Sequence, residues 1–169
     1  MQRLWAPWRE GYITKVIRNQ HKGCIFCRIL KQNNDVKNYV VLRSDFTYVV
    51  LNIYPYTNGH CLILPKRHVA DINKLTDNEL KDMMQVLIKT KDLLQKALAP
   101  HGFNIGINLG RIAGAGIPKH IHFHMVPRWK GDHNFMPVVS ETKVISQSLK
   151  AIYLLLTDEN KKRSRRVRR

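Results

Sequence analysis

His120-Ile121-His122-Phe123-His124 sets three histidines against bulky apolar neighbours, with Met125 following. In an extended strand successive side chains point to opposite faces. Residues 120, 122 and 124 then share one face, and Ile121, Phe123 and Met125 share the other. At a rise of about 3.3 Å per residue, neighbouring imidazoles stand about 6.6 Å apart. One face has the composition of a core. The other aligns three groups whose ordinary pKa suits nucleophilic, acid and base work near neutral pH. A plain half-buried strand would need three coincidences within five residues. A single metal site for all three fits less well, because one ion needs convergent side chains.

Working outward, Phe103–Leu109 reads as the preceding strand and His120–Pro127 as the fifth of five. The first three are Tyr39–Arg43, Phe46–Asn52 and His60–Pro65, with Tyr54-Pro55-Tyr56-Thr57-Asn58-Gly59 as a turn. Cys61 falls on the third strand as a packing residue. Thr76-Asp77-Asn78-Glu79 has the form of a capping box. Leu80, Met83, Met84, Leu87, Leu94 and Ala97 follow at helical spacing, and Pro100 and Gly102 stop the helix. A second amphipathic helix is predicted over 142–157, with Val144, Ile145, Leu149, Ile152 and Leu156 on one stripe. Between the fourth and fifth strands lies Gly110-Arg111-Ile112-Ala113-Gly114-Ala115-Gly116-Ile117, whose small residues let backbone N–H groups approach an anion. The sum is an α+β domain: an antiparallel sheet with helices packed on one side.

The 169 residues suit one domain, and 44% hydrophobic composition is ample for its core. Residues 1–23 read as an arm bearing Trp5, Pro7 and Trp8, 24–157 as the domain, and 158–169 as a basic, disordered tail. The longest apolar runs are too short to span a membrane, and Met1–Trp8 has no signal-type apolar stretch; a cytoplasmic location is expected. Net charge is +17, and seven of the last nine residues are basic, leaving +10 on residues 1–160. A positive body suits an anionic substrate. The tail reads first as a solvated end, with contact to nucleic acid or a membrane surface as the alternatives. Three cysteines, Cys24, Cys27 and Cys61, argue against a disulfide framework and for metal or free thiols.

The segment His120–Val126 fits the pattern His-φ-His-φ-His-φ-φ, where φ is apolar, and on it the chain resembles the histidine triad (HIT) superfamily of nucleotide hydrolases and transferases. Asn52-Ile53-Tyr54-Pro55, Gly59-His60 and Pro65-Lys66-Arg67-His68 are similar to the first half of that family. Leu4-Trp5-Ala6-Pro7-Trp8-Arg9, Cys24-Ile25-Phe26-Cys27, Val126-Pro127-Arg128-Trp129 and Asn134-Phe135-Met136-Pro137 resemble the branch of diadenosine tetraphosphate phosphorylases and related dinucleoside polyphosphate hydrolases. The resemblance implies a five-stranded antiparallel sheet with two main helices, extended across a homodimer.

It also implies a chemistry. His122 would attack the α-phosphorus of a dinucleoside polyphosphate and form a nucleotidyl-histidine, resolved by water or phosphate. That requires a neutral ring whose other nitrogen donates to a fixed acceptor, typically a backbone carbonyl. His124 would contact the phosphate or leaving oxygen. Gly116 and Ile117 would offer backbone N–H groups, Asn108 a phosphate-side amide, and Asn52 a ribose contact where relatives often carry an acid. Trp129 would either stack on the second nucleoside or pack at a dimer interface. Many relatives have glutamine or serine three or four residues before the first histidine; here Gly116 and Ile117 stand there, so backbone or water replaces that side chain. Cys24, Cys27, His68 and His120 correspond to the structural zinc ligands of zinc-bearing relatives, and no organic cofactor is implied. The alternatives are a nucleoside phosphoramidate or adenylyl-sulfate enzyme using the same intermediate, and a nucleotide-binding regulator with a nucleic-acid-contacting tail.

Overall fold

The computed structural model describes residues 23–132 and 144–167, with side chains to residue 165. The arm motif around Trp5 and Trp8, and the Asn134–Pro137 motif, lie outside the described residues. The elements are α1 (Ile25–Gln32), α2 (Asp35–Asn38), β1 (Val40–Arg43), β2 (Thr47–Leu51), β3 (Cys61–Pro65), a 3-10 turn (Ile72–Lys74), α3 (Asp77–Leu98), β4 (Gly102–Ile107), β5 (Phe123–Arg128) and α4 (Leu149–Val167). The strands form one antiparallel sheet in the order β1-β2-β3-β5-β4.

β2 and β3 are buried along their whole length, which requires cover on both faces. Val41, Val49, Leu51, Cys61, Ile63 and Met125 meet α3 and α4 on one side, through Val86, Leu93, Leu94, Ile152, Tyr153 and Leu156. Phe26 of α1 meets Val40, Tyr48, Val50, Leu62 and Leu64 on the other. Helices on one side only was therefore an incomplete expectation. α1 buries Phe26 and packs Ile25, Ile29 and Leu30 beside it, and Tyr48 fixes the helix by donating from its hydroxyl to the Phe26 carbonyl at 2.9 Å.

The capping box forms as its sequence predicts: Glu79 N–H donates to Thr76 Oγ1 and Thr76 N–H to the Glu79 carboxylate. Arg67 clasps the same carboxylate and holds its pKa down at about 2. The buried stripe of α3 is Met83, Val86, Thr90, Leu93 and Leu94; Leu80 and Met84 instead face outward, 38% and 50% exposed. One helix presents more apolar residues than its buried face can take.

Three boundaries move. β5 begins at Phe123, so His120–His122 precede the ladder instead of lying in it. β4 ends at Ile107, leaving Asn108 just past the strand. The last helix begins at Leu149, not near 142, and Val144 and Ile145 are exposed ahead of it. It also runs through residue 167, where a disordered tail was expected from 158. Nothing from 149 to 167 is glycine or proline, Asp158 pairs with Lys162 one turn on (2.8 Å), and Asn160 Nδ2 donates to the Val41 carbonyl (3.4 Å). Basic residues in the final turns also suit the negative end of the helix dipole.

Candidate active site and metal centre

Removing His120 and His122 from the strand does not scatter the histidines. Ile121 is buried with Val69, Leu75 and Met83, and its N–H donates to the Val69 carbonyl at 2.7 Å. Phe123 packs between that cluster and the main core, and Met125 is fully buried. The apolar face is thus anchored, and the three imidazoles project to the other side. The His122 and His124 ring centroids are 4.9 Å apart. Phe26 lies edge-on to His120 and His122, with centroids at 5.5 and 5.2 Å. α1 therefore roofs the site as well as the sheet.

His122 Nδ1 is 2.9 Å from the His120 carbonyl. A carbonyl only accepts, so Nδ1 carries the proton and Nε2 keeps its lone pair. Burial lowers the pKa of His122, against the opposing effect of that hydrogen bond. The ring is neutral at neutral pH, with a free nucleophilic nitrogen.

On one side of it, His120 is buried and its Nε2 donates to the Pro65 carbonyl at 2.9 Å. Its Nδ1 then has a lone pair, and that atom faces Cys24 Sγ at 3.4 Å and Cys27 Sγ at 3.6 Å. Cys27 Sγ also lies 3.3 Å from His68 Nδ1. All four donor atoms fall within 4.8 Å of one another. A tetrahedral zinc ion with bonds of about 2.0–2.3 Å has sulfur–nitrogen edges of about 3.5 Å, which the three short sulfur–nitrogen pairs match. Two thiols facing one unprotonated imidazole nitrogen are also better satisfied by a shared cation than by hydrogen bonds alone. The Pro65 carbonyl supplies the outer support that metal-bound imidazoles typically have. Cys24 is the N-cap of α1 and Cys27 lies in its first turn, so both sulfurs sit at the positive end of the helix. Burial, and then the neighbouring Cys24, raises the pKa of Cys27. Burial lowers His120 to about 4. Cys61 lies apart in the core, its thiol pushed up to about 12 by burial.

On the other side stands His60, to which the sequence reading gave a place in the Gly59-His60 motif but no role. His60 is 1% exposed, and its Nε2 lies 3.0 Å from His124 Nδ1. The Tyr56 N–H donates to His60 Nδ1 at 3.1 Å, and Asn52 Nδ2 approaches the same atom at 3.3 Å. Two donors on Nδ1 place the proton on Nε2, which therefore donates to His124. That in turn leaves His124 with its proton on Nε2. Burial, and then His122, lowers the His124 pKa to about 4. The Tyr56 ring stacks on His60 at 4.8 Å. Gly59 makes this possible: at φ +76 it brings the turn against α3, where a Cβ would meet Leu98 Cδ1 at 2.6 Å. The glycine immediately before a histidine was the available signal.

The remaining expected residues spread around this centre. Asn52 is half-buried and its Oδ1 accepts from Tyr54 N–H at 3.0 Å, the turn role of a strand-end asparagine. In the glycine-rich loop, Gly114 N–H and Ala115 N–H donate to Arg111 and Gly110 carbonyls. The Asn108 amide lies against Gly114. The Ile117 carbonyl accepts from His120 N–H at 3.3 Å, and Ile117 packs on the Phe26 cluster; Gly116 is half-buried beside it. Trp129 donates from its indole to the Leu98 carbonyl at 3.3 Å and lines a cavity of about 470 Å³ with Tyr56, Asn58 and Leu155.

The HIT domain model matches residues 33–131. The chain is 39% identical over 165 residues to an AP-4-A phosphorylase of Mycobacterium tuberculosis, covering 94% of this chain and 84% of that one. It is 33% identical over 112 residues to an adenosine 5'-monophosphoramidase of Candida albicans, covering 64% and 72%. Among solved structures, a Zn-bound histidine triad family protein from Mycobacterium smegmatis superposes with TM-score 0.68 at 25% identity, over 84% of this chain and 96% of that one.

Proposed function

The chain belongs to the HIT family, and from that premise we propose that it is an enzyme cleaving dinucleoside polyphosphates at an α-phosphate, through a nucleotidyl-histidine on His122. The observation that carries the proposal is the hydrogen bond from His122 Nδ1 to the His120 carbonyl, which leaves Nε2 as a neutral nucleophile. Nε2 attacks the α-phosphorus, a phosphorus–nitrogen bond forms, and the bond to the polyphosphate chain breaks. The positive charge on the imidazole is stabilised through Nδ1–H by the His120 carbonyl. His124 offers Nε2–H to a phosphate or leaving oxygen. A polyphosphate departs as a stable anion, so it needs a hydrogen bond more than a proton. Gly116 and Ile117 N–H groups and the Asn108 amide serve the non-bridging oxygens, and Asn52 the ribose. Trp129, half-buried beside the cavity it lines, stacks on the second nucleoside. A second acceptor then attacks phosphorus and releases His122.

The named phosphorylase at 39% identity supports phosphate as that acceptor. With diadenosine tetraphosphate, phosphate gives ADP and ATP, whereas water gives AMP and ATP. Titrating phosphate and identifying the mononucleotide decides between them. The monophosphoramidase relative supports a second substrate class using the same intermediate. Comparing kcat/KM on diadenosine tetraphosphate, an adenosine phosphoramidate and adenylyl sulfate tests it; a preference for either of the latter two overturns the proposal.

Cys24, Cys27, His68 and His120 would hold structural zinc, with four protein ligands and no open position. When bound, the ion ties α1 to the His120 segment and supplies no chemistry at phosphorus. For a homodimer, support comes from β4, whose ladder partner among the described residues is β5 alone and whose Asn104, Ile105 and Gly106 are exposed. Leu80, Met84 and Ile88 add an exposed apolar row on α3. A monomer by light scattering contradicts this part.

A further inference from the structure

The basic run of the sequence sits on the continuation of α4, and the nucleotide site makes no use of it. We propose that the C-terminal half of α4 is a docking surface for nucleic acid, bound through its phosphate backbone without sequence preference. Helix geometry divides the charges. Asn160 Nδ2 donates to the Val41 carbonyl, and Arg163 reaches the Lys89 carbonyl at 3.4 Å and Asp92 at 3.8 Å. These contacts clamp one face of the helix to β1 and α3. At 100° per residue, Lys161 and Arg165 lie opposite Arg163, one above the other and about 6 Å apart along the axis. Both are exposed, as is Lys162 beside them. Arg166 follows on the same helix, and Arg168 and Arg169 follow in sequence. From residue 160 onward there is no acidic residue.

The result is a row of cations on a helix already docked. Ordering it against a polyanion costs less conformational entropy than ordering a free tail. The partner chemistry follows from what the surface lacks. From 157 to 169 the one large apolar residue is Val167. A helix that lies in a lipid interface needs an apolar stripe running alongside its charged face. Here the exposed Leu154 and Leu155 precede the basic run instead of flanking it. Regularly spaced phosphates, offered by a nucleic-acid strand, match cations presented at a fixed interval. Counterion release then drives binding.

The test uses full-length protein and its K161Q/R165Q/R166Q variant, against a fluorescein-labelled duplex and against vesicles of phosphatidylserine and phosphatidylcholine. Full-length protein should bind the duplex with log K falling linearly against log salt, at a slope of about −4, consistent with four or five phosphate contacts. The variant should lose at least about tenfold in affinity at low salt, with a slope shallower by about 2–3. Its circular dichroism and its turnover of diadenosine tetraphosphate should be unchanged. Scrambling the duplex sequence should leave affinity as it was. The proposal is overturned if full-length protein does not bind the duplex, if the variant binds equally well, or if anionic vesicles are preferred at equal phosphate concentration. A variant that loses turnover while the parent shows no duplex binding also overturns it, since the charges would then steer substrate.

Discussion

His120 and His124 flank His122 symmetrically in sequence, yet the fold handles them in opposite ways. His120 is fully buried, gives its Nε2 proton to the Pro65 carbonyl, and turns a lone pair towards two cysteines. His124 receives a proton on Nδ1 from His60 and is left with a donor on Nε2. One flank ends in metal-type ligands and the other in a hydrogen-bond donor suited to an anion. Burial depresses both, so it does not separate them. The partner on the second nitrogen does. Identical side chains two residues away on either side of the proposed nucleophile acquire different surroundings from their outer contacts alone.

The largest way to break the comparison is to remove the group between the flanks. His122→Ala should lower kcat by about 10⁴-fold or more while leaving the melting temperature within a few degrees, as expected when a covalent nucleophile is lost. Retained turnover would remove the centre from the scheme. Next comes the metal flank. Cys27→Ser, or exhaustive chelation, should take bound zinc from one equivalent to none and lower Tm by about 10 °C, since a loss of a few kcal/mol shifts a domain of this size by that order. Elemental analysis and calorimetry report the two halves separately.

The donor flank predicts a smaller and more specific effect. His60→Ala should reduce kcat by about 10–100-fold, and the acid limb of the pH profile should move to higher pH, because His124 Nδ1 loses the donor that favours its neutral form. His60→Gln, which can still donate, should restore part of both. A rate loss with an unmoved limb would make His60 merely structural.

The smallest effect is in stability. His124 falls from 6.5 to about 4 in the folded chain, and His122 shifts in the same direction. Between those values the unfolded chain binds more protons, so stability rises with pH across the window and is lost as pH falls through it. Denaturant titrations at successive pH values should show that slope, reduced in His124→Gln.

Legibility in the sequence followed the length of the pattern. The capping box and the histidine alternation identified α3 and the shared face of the three histidines because each repeats a local rule. The facing of 120, 122 and 124 survived even though β5 starts at Phe123, since Ile121 is held by Val69 and Met83 instead of by a strand partner. α1 was missed because it is only about two turns long, although Ile25, Phe26, Ile29 and Leu30 recur at helical spacing and pack together. His60 was hidden because its partner is 64 residues away, brought to it by the β3–β5 ladder and the turn at Gly59. The tail appeared as composition, and its helicity combines a local pattern passed over for its charge, no glycine or proline and the Asp158–Lys162 pair, with long-range contacts to Val41, Lys89 and Asp92.

The central claim is that His122 bonds to phosphorus between two displacements. The most direct measurement is the stereochemical course at an isotopically chiral α-phosphorothioate of a dinucleoside polyphosphate. Two in-line displacements, the first by His122 Nε2, predict net retention of configuration. Net inversion would mean that the acceptor attacks the substrate directly, and the account of His122 as a covalent nucleophile would be wrong.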